Sequence, residues 1–187
     1  MTQVLFLEGS PRHGNTEQVT DWVIAGMGRK AKVHRVRLIE KQIHECQECF
    51  GCTGARNRAG CHLSDDMAEI YDLILGSDLT AFTSPVFCWG VSGITKLCID
   101  RCFALLNGEN LLKGSKLAVV LTAGGDHFDG ADLAVAMFER LAKFGGIELV
   151  GRYVVADCPS GRSLRNNRLI EKQSREFGRR LLQALNG

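Results

Sequence analysis

The chain has 187 residues, 45% apolar and 24% charged, with a net charge of +2. This is ordinary globular composition at a length that supports a hydrophobic core, which excludes disorder and fibrous structure. So small a charge gives no electrostatic reason to expect nucleic acid, and the local basic stretch Arg162, Arg165 and Arg168 reads as a solvated face. Eight cysteines amount to about 4% of the chain, below the roughly 8–10% that marks a small secreted disulfide scaffold. No apolar run approaches the roughly 18 to 20 residues needed to span a bilayer, and no basic segment precedes an apolar one at the N-terminus. The expectation is a cytoplasmic protein with no membrane partner. Four of the cysteines crowd into Cys46 to Cys61, which in a reducing compartment argues for metal or redox chemistry.

In chain order, Val4 to Leu7 is a short apolar run that ends at Glu8-Gly9-Ser10-Pro11. Val19, Trp22, Val23, Gly26 and Met27 then recur at helical spacing, so strand, turn and helix follow one another. Val33 to Leu38 alternates as a half-buried strand nearer an edge does, and the cysteine segment follows it. Ser64 before Asp65-Asp66 reads as an N-cap for a helix through Met67, Ile70, Tyr71 and Ile74. Leu79 to Thr83 is the next strand, Gly93 to Phe103 a helix and Leu117 to Thr122 a fully buried strand. Ala134, Met137, Phe138 and Leu141 form one helix face, Ile147 to Val155 is a fifth strand, and Ile170, Phe177, Leu181 and Leu185 lie on a C-terminal helix. Strands alternating with helices, without repeat or linker, predict one α/β domain over 1–187: a doubly wound, flavodoxin-like five-stranded parallel sheet in the order 2-1-3-4-5, with a cysteine-rich insertion at 43–63 after strand two. In that order a ligand sits beyond the carboxyl ends of strands one, three and four, which points to the loops Gly9–Thr16, Ser84–Gly93 and Ala123–Gly130.

The first loop, Gly9-Ser10-Pro11-Arg12-His13-Gly14-Asn15-Thr16, places hydroxyls, an amide, a guanidinium and backbone N–H groups at a helix N-terminus, all donors to an anion. Gly9 and Gly14 match P-loop spacing, but Asn15 stands where lysine is needed, so a terminal monophosphate ester suits the loop better than a nucleoside triphosphate. An ordinary capped turn is the competing reading. The second loop, with Pro85, Val86, Phe87, Cys88, Trp89 and Gly90, is unusually aromatic; it suits a flat heteroaromatic ring, or packs against a neighbouring helix or subunit. The third, Thr122-Ala123-Gly124-Gly125-Asp126-His127, lacks side chains at two successive positions and lets its backbone approach a ring; His127 touches a substrate or is merely solvated.

These segments, together with Asp65-Asp66-Met67 and with Lys96 and Asp100-Arg101, resemble the NADPH-dependent FMN reductase family, and within it the iron-sulfur flavoproteins. The resemblance implies FMN, with its phosphate at Ser10, Arg12, Asn15 and Thr16 and its isoalloxazine at Pro85, Val86, Phe87, Trp89 and Gly90 and at Thr122, Gly124 and Gly125. It also implies a homodimer or homotetramer with the flavin near a subunit interface, where Lys96, Asp100 and Arg101 act unless they are simply exposed helix charges. No dinucleotide fingerprint is present, so NAD(P)H is a transient donor, and no catalytic triad or carboxylate pair stands out.

Cys46, Cys49 and Cys52 lie at CxxCxxC spacing, and Cys61 adds a fourth thiol. A cluster, a zinc ion or free redox-active thiols all satisfy this set, and the compact triple favours an iron-sulfur cluster of the [4Fe-4S] type. Iron-sulfur flavoproteins have a shorter gap before the fourth cysteine; Gly54 and Gly60 let the longer loop Thr53 to Gly60 fold back. Cys98 and Cys102 read as small buried hydrophobes, and Cys88 lies in the ring-binding loop. The functional expectation is an FMN-dependent, NAD(P)H-linked oxidoreductase or electron-transfer flavoprotein passing electrons to a small-molecule or protein carrier. The alternative is a non-catalytic zinc-binding module of the same fold.

Overall fold

The computed structural model describes residues 1–53, 59–158 and 164–186. Gly54, within the loop Thr53 to Gly60, and Arg162, in the basic stretch, lie outside the described residues. The long strands are β1 (Thr2–Glu8), β2 (Ala31–Arg37), β3 (Leu79–Phe87), β5 (Lys116–Thr122) and β6 (Glu148–Val155), with a two-residue β4 (Gly90–Val91) between β3 and β5. The helices are α1 (Asn15–Met27), α2 (Met67–Leu75), α3 (Gly93–Arg101), α4 (Phe103–Leu106), α5 (Asp132–Gly145) and α6 (Arg168–Asn186). The long strands are parallel in the order β2-β1-β3-β5-β6, which is the anticipated 2-1-3-4-5 once β4, antiparallel to β3, is set aside.

Strand alternation divides the core between the two faces of the sheet. Val4, Phe6, Ala81, Ala118 and Val120 pack with Val19, Trp22 and Val23 of α1 and with Phe177 and Leu181 of α6. Leu5, Leu7, Phe82, Val119 and Leu121 pack on the other face with Met67 and Ile70 of α2, Ile99 of α3 and Phe138 of α5. Burial on both faces is why Val4 to Leu7 and Leu117 to Thr122 read as unbroken apolar runs. Helices α1 and α6 touch through glycine: a methyl at Gly178 would lie 2.0 Å from the Val23 carbonyl oxygen.

Three local expectations are corrected. The segment Ser84 to Phe87, read as loop, continues β3 and turns back through Cys88 and Trp89, pairing Val86 with Val91 and Phe87 with Gly90. Both turn residues have left-handed backbones (φ 46° and 63°), the geometry a two-residue hairpin needs; Cys-Trp in place of Asn-Gly hid it. The N-cap assigned to Ser64 is not formed; instead the Asp65 carboxylate accepts the Met67 N–H at 3.1 Å. The helix drawn from Gly93 to Phe103 ends at Arg101 and is followed by the separate α4.

The exit of the cysteine segment is anchored by a buried ion pair. Arg101 ends α3 with only 2% of its surface exposed, and its Nη1 and Nη2 both donate to Asp65, whose side chain is equally buried. Nη1 also donates to the His44 carbonyl at 2.8 Å. Arg101 is therefore buried within this chain, which overturns its exposed-charge reading, whereas Lys96 and Asp100 do form an exposed pair.

Burial by itself raises the Asp65 carboxyl, but the Arg101 hydrogen bond and the N–H groups of His44 and Met67 outweigh it and hold the group below its ordinary value. A depressed carboxyl contributes stability that is present above its unfolded value and lost as pH falls through its folded one, so this contribution disappears on the acid side of the ordinary aspartate range. Asp65→Asn is expected to lower stability near neutral pH by about 3 kcal/mol, because Arg101 is left buried without its counter-charge. It should also flatten the acid limb of stability against pH, as measured by urea unfolding at a series of pH values; a parallel, undiminished acid limb would show that the pair contributes nothing.

Candidate functional site

The connections that leave the carboxyl ends of β1, β3 and β5 meet around a pocket of about 260 Å³. The first brings Ser10, Arg12, Asn15 and Thr16, the second Pro85, Val86 and Phe87, and the third Thr122 and Gly124. Trp89, Gly90 and Gly125 are not among the lining residues. Trp89 stands at the hairpin tip, 64% exposed, and its backbone rests on Gly130, where a methyl would come within 2.6 Å of the Trp89 Cα. The two loop glycines differ: Gly124 borders open space, whereas a methyl at Gly125 would lie 2.1 Å from Asp129 Oδ2. His127 is exposed and packs edge-on to Phe128, away from the pocket lining.

The first loop is held from within. Ser10 Oγ donates to the Arg12 carbonyl (2.8 Å), and Thr16 and Thr122 share a hydroxyl hydrogen bond (2.6 Å) that ties α1 to the end of β5. Gly9 packs tightly against α3, for a methyl there would fall 1.7 Å from Thr95 Oγ1, and its carbonyl accepts from Ser92 Oγ at 2.6 Å. Ser92 also caps α3, accepting from the Thr95 N–H. Helix α1 starts after Gly14 without a side-chain cap, so its N-terminal N–H groups and the positive end of its dipole face the pocket end of the loop. Among the described lining residues Arg12 is the cation, and none is Asp, Glu or His.

Cys158 lines the pocket and was not anticipated, because no spacing connects it to the other loops. It arrives by tertiary structure: its N–H donates to the Ala123 carbonyl at 2.8 Å. Asn15 Nδ2 donates to Cys158 Sγ at 3.1 Å, and Asn15 Oδ1 accepts the Leu164 N–H at 3.1 Å, so Asn15 also ties the chain beyond β6 to the first loop. Burial pushes the Cys158 thiol up, more than Asn15 and Arg12 draw it down.

A second cavity, of about 450 Å³, opens between the cysteine segment and α3, α4 and α5. Cys46, Cys49, Cys52 and Cys61 all line it, opposite Phe103 and Phe144. Cys61 Sγ accepts from Arg101 Nη2 at 3.3 Å and Cys52 Sγ from Asn107 Nδ2 at 3.5 Å, while Cys49 Sγ lies 3.8 Å from His62 Nδ1. Glu48 and Phe50, on either side of Cys49, have left-handed backbones (φ 50° and 53°). Among the described residues, no three His, Cys, Asp or Glu side chains are gathered closely enough to hold one metal ion. The donor set fits a soft metal centre by its chemistry: four thiols around one cavity with N–H donors on two of them. Cys98 and Cys102 are buried one helical turn apart, as anticipated; the hydrogen bond to Cys102 and burial push the Cys98 thiol up. Cys88 is exposed at the hairpin tip.

A family model described as NADPH-dependent FMN reductase matches residues 2–158. An iron-sulfur flavoprotein of Archaeoglobus fulgidus is 30% identical over 135 residues, covering 71% of this chain and 67% of that protein. Among solved structures, a flavone reductase superposes on 99% of this chain with a TM-score of 0.76 at 16% identity; this chain spans 63% of the flavone reductase chain. An FMN-dependent NADH-azoreductase of Bacillus anthracis, solved in complex with FMN, superposes on 97% of this chain and 100% of its own with a TM-score of 0.71 at 13% identity. At those identities the structural matches establish the flavodoxin-like fold. No helix among the described residues is long and apolar enough to cross a membrane. With the family model matching most of its length, the chain belongs to the NADPH-dependent FMN reductase family and is an FMN-dependent oxidoreductase of that kind.

Proposed function

We propose that this chain, acting as one flavodoxin-like unit, holds FMN with its phosphate at Ser10, Arg12, Asn15 and Thr16 and its ring against the Pro85–Gly90 hairpin and the Thr122–Gly125 loop, and accepts reducing equivalents from NAD(P)H. The observation that carries this reading is the convergence of three loops, distant in sequence, on one pocket at the carboxyl edge of the sheet. The residues suit the group. The α1 N-terminus and the hydroxyls of Ser10 and Thr16 supply donors for a phosphate, and Arg12 supplies the compensating cation. Pro85, Val86 and Phe87 offer an apolar wall, and Gly124 leaves open space beside it. When bound, FMN supplies hydride acceptance and onward electron delivery; the chain positions it and tunes it with hydrogen bonds.

The cysteine cavity is the second centre. Cys46, Cys49, Cys52 and Cys61 hold an iron-sulfur cluster of the [4Fe-4S] type that exchanges electrons with a small-molecule or protein carrier. The Archaeoglobus relative, an iron-sulfur flavoprotein, and the four thiols on one cavity support this assignment. Eight free cysteines suit a reducing compartment such as the cytoplasm. Trp89, Phe128 and Phe144, 64%, 82% and 72% exposed, are the apolar surface that a homodimer or homotetramer covers.

Replacing Arg12 and Thr16 together with alanine is expected to weaken FMN by tenfold or more while affecting riboflavin much less, because the charge-assisted bonds lost are worth about 1.5–3 kcal/mol. Titration calorimetry of both ligands measures this, and equal weakening would place the phosphate elsewhere. Cys49→Ser should abolish iron and acid-labile sulfide in anaerobically reconstituted protein yet leave FMN content unchanged; stoichiometric zinc without sulfide in the wild type would refute the cluster. Sedimentation of the flavin-saturated chain at micromolar concentration should give a dimer or tetramer, and a monomer would remove the subunit-interface reading.

A further inference from the structure

Two sulfurs of the cysteine cavity accept side-chain N–H groups, and neither donor belongs to the cysteine segment. Arg101 closes α3 and gives Nη2 to Cys61 Sγ at 3.3 Å; Asn107 follows α4 and gives Nδ2 to Cys52 Sγ at 3.5 Å. Both donors are held firmly. The Arg101 guanidinium is fixed by Asp65 and the His44 carbonyl. The main chain that carries the Asn107 amide is fixed by its backbone N–H, which donates to the Phe103 carbonyl at 2.9 Å. Asp65 already offsets the Arg101 charge, so the bond from Arg101 to Cys61 acts chiefly as an oriented N–H dipole; Asn107 is an N–H dipole with no charge at all.

We propose that Arg101 and Asn107 are positioning residues of the cysteine centre, holding Cys61 and Cys52 on the cavity wall and raising the reduction potential of the cluster those thiolates bind. The proposal rests on the iron-sulfur reading above. Its physical basis is that one-electron reduction adds negative charge to the cluster and its sulfurs, and an N–H fixed on a sulfur stabilises the electron-rich state more than the electron-poor one. No bond is made or broken and neither donor gives up its proton; in the titration below the electron comes from mediator dyes poised by dithionite.

The test is a redox titration of the anaerobically reconstituted full chain, followed by electron paramagnetic resonance, after iron, sulfide and FMN have been quantified. Asn107→Leu is the primary variant, because the site is only half-buried and the change removes the donor without introducing charge. It should lower the reduced-to-oxidised ratio at fixed potential roughly tenfold, which is 59 mV for a one-electron couple. Asn107→Asp should lower it further, and Asn107→Gln, which keeps an N–H donor, should recover part of the loss. FMN content and melting temperature should stay at wild-type values, which separates tuning from general damage. Arg101→Lys should shift the potential in the same direction if it folds. Loss of iron from Asn107→Leu with FMN retained would support the positioning half of the proposal. Wild-type iron and sulfide with an unchanged potential in both Asn107→Leu and Asn107→Asp would overturn it. Absence of iron and sulfide from the wild type would sink the iron-sulfur reading together with this one, and composition alone reveals that case.

Discussion

A buried guanidinium cannot remain in a protein interior without a counter-charge, and Arg101 meets that constraint with Asp65. The pair gathers several elements at one point: the end of α3, the backbone of His44, the approach to α2, and Tyr71, whose hydroxyl donates to the Arg101 carbonyl at 2.9 Å. As a result the chain entering the cysteine segment and the chain leaving it are both fastened to α3. Between these anchored ends Cys46, Cys49, Cys52 and Cys61 face one cavity whose wall includes Ile99, Phe103, Leu141 and Phe144.

Helix α3 is the strut that relates the two centres. Its N-terminus is pinned beside the first loop through Ser92 and the Gly9 carbonyl, and its C-terminus supplies Arg101 to the cysteine cavity. Nine helical residues rise about 13 Å, so one short rigid element spans the distance between the ends at which the two sites lie. The β3–β4 hairpin that bounds the pocket sits immediately before this helix and leans on Gly130, whose backbone (φ 102°) and lack of a side chain admit Trp89. Left-handed residues gather at both centres, Cys88 and Trp89 at one and Glu48 and Phe50 at the other, where ordinary backbone would carry the side chains elsewhere.

Much of this was readable because the relevant physics is local. Unbroken apolar runs marked β1 and β5, and alternation marked β2, since burial on both faces or on one writes itself into successive residues. Five strands alternating with helices pointed to the flavodoxin-like order, and that order pointed to the three loops that meet at the pocket. The hairpin after β3 was not readable, because its turn uses Cys88 and Trp89 where turn chemistry favours glycine and asparagine. Asp65 was read as part of a helix start and of a segment carrying the family resemblance, and Arg101 as an exposed helix charge or a residue at a subunit interface.

The sequence by itself determined the two-faced α/β core, the donor-rich turn from Gly9 to Thr16 and the clustering of four thiols, all properties of residues close together along the chain. Only tertiary structure decided that Asn15 reaches Cys158 and Leu164, that Arg101 turns inward to Asp65 and Cys61, and that Asn107 meets Cys52. Each of those contacts joins residues 36 or more positions apart, where no periodicity carries a signal. They form because packing helices on both faces of a twisted sheet brings distant chain ends to the same edge, and a buried polar group then takes whichever partner that packing provides.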